Sequence, residues 1–242
     1  MRNGLMPLLI EGVSCLDAWA KGVQMLTNVG CDSDYLMTTI EEPWSMDPVW
    51  LSEFCPRLVL PTAASLRSVV RVLAPDCLLH VGKPRGQKYA EAWEWYDRAR
   101  RNHLKLSNWK STYFERLTRL PSGSNQLETI IEKMNAWPYD RIAAFYAHTT
   151  HMDLDHLTPQ GSPCLQYVQF LQRKNQPLDM VAVYRNHDFT EKVLGNYIGL
   201  GRLLKFVAVE TNQTPGKLSC LSVHAYLKQK KRVLTLASQA LN

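Results

Sequence analysis

Between residues 161 and 226 the chain strings together side chains of a kind and order that could hold a nucleotide against a thiol. Cys164 follows Pro163 at the entry to an apolar run, where its thiol can sit at a sheet edge and a nearby cation would favour the nucleophilic thiolate. Tyr184 and Arg185 come next; a guanidinium fork binds phosphate through two parallel charge-assisted hydrogen bonds, and Asn186 adds an amide donor. Asp188 supplies a carboxylate. Asn196, eleven positions after Arg185, offers one acceptor and two donors, a set that meets the N3–H and O4 of a uracil ring. His224 and Tyr226 are two apart, so on a strand they share a face and can hold one sugar hydroxyl between them. Taken singly, each has an ordinary structural explanation, since buried free cysteine is common and the polar residues cap and coat surfaces elsewhere. Together they describe an anion, a flat polar ring and a sugar held in order beside a nucleophile.

Such residues need a scaffold, and the apolar periodicity predicts one. A short run, Leu8-Leu9-Ile10, precedes Leu16, Trp19, Val23 and Leu26, which fall three or four apart on one helix face, with Asp17 in the first turn and Gly30 as the stop. A strand over 35–40 ends at Glu41-Glu42-Pro43, and the Pro- and Trp-rich stretch to Pro61 reads as loop with short helical turns. Helices follow over 62–74, where Leu66, Val69, Val70 and Leu73 form a stripe ended by Pro75, and over 87–101, where Tyr89, Trp93 and Tyr96 read as core rather than a base-stacking platform. A linker-like Pro121-Ser122-Gly123-Ser124-Asn125 leads into a helix over 126–134 and a strand over 141–146. Strands at 165–172 and 180–184, a helix near 194–209 and a last strand at 218–223 complete the pattern. The mixture predicts an α/β (α+β) fold, one domain over residues 1–242 built on a large mixed sheet flanked by helices.

Composition sets the outer bounds. With 242 residues, 45% hydrophobic and 21% charged, the chain can bury a sizeable core, which argues against disorder. A net charge of +6 attracts anionic partners, yet the densest basic run, Lys228-Gln229-Lys230-Lys231-Arg232, is too short for a polymer footprint and reads as a solvated face, so no nucleic-acid polymer is expected. The six cysteines show no CxxC spacing and the start has no secretory pattern, which predicts reduced thiols in the cytoplasm. No apolar run approaches the roughly 20 residues of a membrane span.

The order Pro163-Cys164, Tyr184-Arg185, Asp188, Asn196 and His224-Ala225-Tyr226 resembles the thymidylate synthase family over about residues 110–226. Tyr113-Phe114-Glu115-Arg116-Leu117 looks like that family's Tyr-Gly-x-Arg-Leu segment, and Asp140-Arg141-Ile142 looks like the arginine pair that reaches into the partner subunit's phosphate site. The early helix, the strand ending in Glu-Glu-Pro and the short tail resemble the compact archaeal-type members. Against the family pattern, Leu165 replaces the histidine after the nucleophile, Asn186 a serine and Asp140 one of the paired arginines. Glu53, Glu41 and Glu42 are the carboxylates available as the family's catalytic glutamate.

The resemblance implies methylation at C5 of a uracil nucleotide, dUMP to dTMP, with 5,10-methylenetetrahydrofolate, by a homodimer. It would make Cys164 the nucleophile at C6, place Asp188 on the cofactor side and Tyr113 in the proton network. Arg185 and Arg141, with Asn186, would bind phosphate, Asn196 would read the base, and His224 and Tyr226 would hold the ribose. Two alternatives stay open: a pyrimidine nucleotide hydroxymethylase on the same scaffold, and a diverged nucleotide binder without turnover. His148, His151, Asp153, Asp155 and His156 crowd into nine residues and could hold a divalent metal, but they fit no hydrolase signature, so a polar loop is expected there and no metal in the site.

Overall fold

Along the second strand Leu36, Thr38 and Ile40 are buried while Tyr35 and Met37 are exposed, the period-two signature of a sheet with one covered face. The computed structural model describes residues 7–45, 66–102, 111–137, 144–151, 155, 162–228 and 230–241. Its strands are β1 (Leu8–Gly12), β2 (Asp32–Ile40), β3 (Phe145–His148), β4 (Leu165–Leu171), β5 (Leu178–Tyr184), β6 (His187–Asp188) and β7 (Pro215–Tyr226). They form one mixed sheet in the order β1-β2-β7-β5-β4-β3, with β6 continuing beside β7. The β1–β2 and β5–β7 pairs are parallel; β2–β7, β4–β5 and β3–β4 are antiparallel.

Helices cover one face. These are α1 (Cys15–Asn28), α2 (Leu66–Leu73), α3 (Arg85–Arg101), α4 (Tyr113–Thr118), α5 (Gln126–Ala136), α6 (Val193–Glu210) and α7 (Lys230–Ala240). The predicted stripe of α1 is buried, and Ser14 caps its start by accepting from the Asp17 backbone N–H. Helix α6 is buried on nearly every side and lies against the sheet, where Tyr197 Oη donates to Thr38 Oγ1 at 3.0 Å. It approaches α2 closely because Gly195 and Gly199 lack side chains: a Cβ on either would meet Val69 or Leu73 at 2.7 or 2.8 Å.

Several expectations need correction. The strand expected at 141–146 runs Phe145–His148, and residues 138–143, with Asp140 and Arg141, lie outside the described residues. The expected loop after Pro43, with Glu53, lies largely outside them as well. The last strand is longer than predicted and carries His224 and Tyr226 within it. The basic run is exposed at Lys228, Lys231 and Arg232 as expected, but a helix not expected there begins within it: α7 buries Val233 and Ala237 against α1, its apolar residues recurring at helical spacing behind a charged start. No helix among the described residues is long and apolar enough to cross a membrane.

The other sheet face is open among the described residues. Leu9, Tyr35, Met37, Tyr146 and Val223 stand exposed along it, and Tyr146, His148 and Tyr167 form an aromatic cluster with ring centroids 5.5–6.2 Å apart.

Candidate functional site

Strand β4 begins at a bulge. Leu165 pairs with Tyr184, yet Tyr167 pairs with the adjacent Val183, so Gln166 is an extra residue and the strand changes phase beside Cys164. The backbone here is held from three sides. Tyr113, at the start of α4, accepts the backbone N–H of Cys164 at 3.2 Å and of Leu165 at 3.1 Å. Arg185 donates from Nε to the Pro163 carbonyl at 3.1 Å and from Nη2 to the Ser162 carbonyl at 2.9 Å. Ser162 in turn donates to the carbonyl of Asp155, whose carboxylate receives a two-pronged ion pair from buried Arg116 at 2.6 and 3.0 Å.

Cys164 opens into a cavity of about 210 Å³. Tyr113, Asn186, Asp188, Asn196 and Tyr226, all singled out from sequence, line it. So do His187 and Lys192, which were not, and Val69 and Val72 of α2 form an apolar wall. Topology explains the convergence: the start of β4 pairs with the end of β5, the end of β5 and β6 lie beside the C-terminal part of β7, and the first turns of α6 bring Asn196 to the same cavity. Arg185 and His224 do not line the cavity. Arg185 clamps the segment leading to Cys164, while His224 Nδ1 bonds Asn186 Oδ1 at 2.7 Å and its Nε2 bonds Asp32 at 2.9 Å.

Burial pushes the Cys164 thiol up, and the Asp188 carboxylate adds to this; Arg185 and Lys192 oppose it without reversing the direction. The expectation that a neighbouring cation would favour the thiolate is thus only half met: the cations are there, and desolvation outweighs them. Tyr226 is likewise raised, by burial first and then by Asp188. Asp188 accepts from the Thr190 N–H at 2.9 Å, and Lys228 lies 3.7 Å from its other oxygen and 5.0 Å from the Tyr226 ring.

Among the polar residues that line the cavity the most buried is His187, 1% exposed. Burial lowers its pKa to about 3, so the ring is neutral, and it stacks on Tyr184 at 4.0 Å and 6°. Its Nε2 meets the Asn196 amide nitrogen at 3.1 Å and its Nδ1 meets Ser222 Oγ at 2.8 Å. The signal in the sequence was its place inside the Tyr184-Arg185-Asn186-His187-Asp188 run, which otherwise supplied residues at or beside the cavity.

Of the other candidates, Glu53, Asp153 and His156 lie outside the described residues, and those within them sit away from the cavity. Glu41 is exposed and pairs with Lys217, and neither it nor Glu42 lines the cavity. Asp155 is committed to Arg116 and to the His151 backbone N–H, while His148 sits in the aromatic cluster on the open sheet face. No metal-holding cluster occurs among the described residues. A larger cavity of about 710 Å³ at the far end of α6 is lined by no cysteine among the described residues, and its buried Lys88 is neutralised by Glu210 at 2.9 Å.

No protein-family model matches the chain. Among curated proteins it is similar to one from Methanosarcina mazei named "Putative thymidylate synthase", 26% identical over 122 residues, covering 50% of this chain and 54% of the relative. A protein of the same name from Methanococcoides burtonii is 28% identical over 118 residues, 48% and 52% of the two chains. Another, from Methanosarcina acetivorans, is 23% identical over 159 residues, 63% and 71%. The chain spans about half the length of the first of these relatives. At this identity and coverage the likeness supports a thymidylate synthase-like family and carries no particular reaction.

Proposed function

We propose that this protein is a cytoplasmic thymidylate synthase-like methyltransferase, one domain over residues 1–242, that converts dUMP to dTMP with 5,10-methylenetetrahydrofolate. The observation that carries the reading is that Cys164, Asn196 and Tyr226, distant in sequence, line one cavity. Asn196 accepts from N3–H of the pyrimidine and donates to O4, which presents C6 to the Cys164 sulfur. Addition of the thiolate at C6 places the electron pair at C5, the carbon that then attacks the one-carbon unit. Because the resting thiol is raised, its proton leaves as the nucleotide binds, and Asp188 and the Tyr226 hydroxyl are the cavity groups nearest in kind to handle it. Asn186 meets the phosphate with Arg141 and Tyr226 holds the ribose, while Arg185, gripping the Ser162 and Pro163 carbonyls, and His224, bonded to Asn186 and Asp32, support the site from outside the cavity.

The cavity suits a folate in its chemistry: Val69 and Val72 present an apolar wall to a flat ring and Lys192 offers a cation to its acidic tail. When bound, the folate supplies the methylene carbon and the hydride that completes the methyl group. The open sheet face, with its exposed Leu9, Tyr35, Met37, Tyr146 and Val223, supports a homodimer in which Arg141 crosses to the other subunit.

Incubation with dUMP and methylenetetrahydrofolate should yield dTMP and dihydrofolate, with no product from Cys164→Ser. No turnover of dUMP or UMP would refute the reading. A hydroxymethyl product by mass spectrometry would shift the assignment to hydroxymethylation. The raised thiol favours one second reading, a nucleotide binder without turnover, and calorimetry showing dUMP binding without product would establish it.

A further inference from the structure

Asn196 can read a base only if its amide faces one way, and the structure shows what holds it. An amide nitrogen has donors and no acceptor, so the 3.1 Å contact from Asn196 Nδ2 requires a lone pair on His187 Nε2. The neutral ring must then carry its proton on Nδ1, where Ser222 Oγ accepts it at 2.8 Å. The imidazole cannot swing to accommodate a turned amide, because it is stacked on Tyr184 at 4.0 Å with Phe189 and Tyr197 set edge-on at 5.9 and 5.8 Å. We propose that His187, locked by Ser222, is a positioning residue that fixes the Asn196 amide in the orientation that accepts uracil and rejects cytosine.

The geometry follows from the two hydrogens of the amide. One goes to His187, and we take it to be the one trans to Oδ1. The one beside Oδ1 forms, with that oxygen, an adjacent donor and acceptor for the ligand. Uracil presents N3–H and O4 and satisfies both. Cytosine presents the N3 lone pair and a 4-amino group, which places acceptor against acceptor and donor against donor. Turning the amide to suit cytosine would set Oδ1 against the Nε2 lone pair unless the His187 tautomer and the Ser222 hydroxyl both reverse. A buried polar group left facing a mismatched partner is costly, which is the physical basis of discrimination here.

The inference rests on the proposed pyrimidine-nucleotide site, and its test separates the two. Calorimetric titration of the whole chain with dUMP and with dCMP should show dUMP bound at least about tenfold more tightly. In Ser222→Ala and His187→Phe that ratio should fall to within about threefold of unity, while His187→Gln, which can still accept from Asn196, should retain part of it. Nitrogen-15 NMR of histidine-labelled wild type with dUMP should show the Nδ1–H tautomer at His187, assigned by its loss in His187→Gln. An unchanged ratio in folded variants, or the Nε2–H tautomer in wild type, overturns the inference while leaving the functional reading intact. If the variants do not fold, the wild-type tautomer decides. Wild type that binds neither nucleotide removes both the functional reading and this inference.

Discussion

His187 should make the fold sensitive to acid well above the range in which carboxylates titrate. Its pKa is lowered from 6.5 to about 3 by burial alone, so in the native state it stays neutral where the unfolded chain takes up a proton. The folded value lies below the unfolded one; the unfolded chain binds more protons between them, and stability must therefore fall as pH drops below the unfolded value. From about pH 7 to about pH 5 the loss from this one residue is about 1.9 kcal/mol, taking the unfolded pKa as 6.5 and about 1.36 kcal/mol per unit. Over that interval the figure depends on the unfolded value alone, provided the native ring remains neutral. For a chain of this size it corresponds to a melting temperature lower by about 4–8 °C. Urea unfolding at the two pH values measures it, with His187→Gln as the control that cannot titrate. A loss under about 0.5 kcal/mol in wild type, or an equal loss in His187→Gln, would refute the reasoning, because it would mean that the ring accepts a proton in the folded state.

Other consequences can be checked independently. Tyr113→Phe removes the acceptor of two backbone N–H groups at Cys164 and Leu165; at about 1–3 kcal/mol for each group left unmatched, it should destabilise by about 2–6 kcal/mol in chemical denaturation. The pH profile of Cys164 alkylation by iodoacetamide, followed by peptide mass spectrometry, should show a pKa above the ordinary thiol value; Asp188→Asn should lower it and Lys192→Met raise it, since the first removes a like charge and the second an opposite one. Arg116→Met leaves the Asp155 carboxylate buried without its two-pronged partner and should cost about 3–5 kcal/mol, read by urea unfolding, with weaker nucleotide binding because Ser162 loses its anchor.

Much of the scaffold was legible because periodicity records burial directly. The stripe of Leu16, Trp19, Val23 and Leu26 and that of Leu127, Ile130, Ile131 and Met134 are buried as their spacing implies. What escaped was set by tertiary pairing. The two-residue β6 is too short for any period, and the parallel joining of β1 to β2 leaves no local signature. Helix α7 was hidden by its charged start. In the site, chemistry-bearing types at defined spacing were enough to gather Cys164, Asp188, Asn196 and Tyr226. They could not show that Arg185 grips backbone carbonyls, that His224 faces Asp32, or that a buried histidine stands behind Asn196, because each of these depends on which residues the sheet brings alongside.

The bulge at Gln166 makes length, rather than residue identity, the sensitive variable of the first turn of β4. Tyr167, Gln169 and Leu171 keep step with the rest of the sheet, whereas Leu165 and the thiol before it are set half a period out of step. Deleting Gln166 would remove the extra residue and leave Leu165 facing the core opposite Tyr184, whereas a one-residue deletion within the regular run 167–171 would turn the nucleophile's end of the strand over and carry Leu165 away from the core. Substitutions at Gln166 should therefore be tolerated far better than a one-residue deletion within 167–171, and the frame of the strand is as much a part of the site as the cysteine it aims.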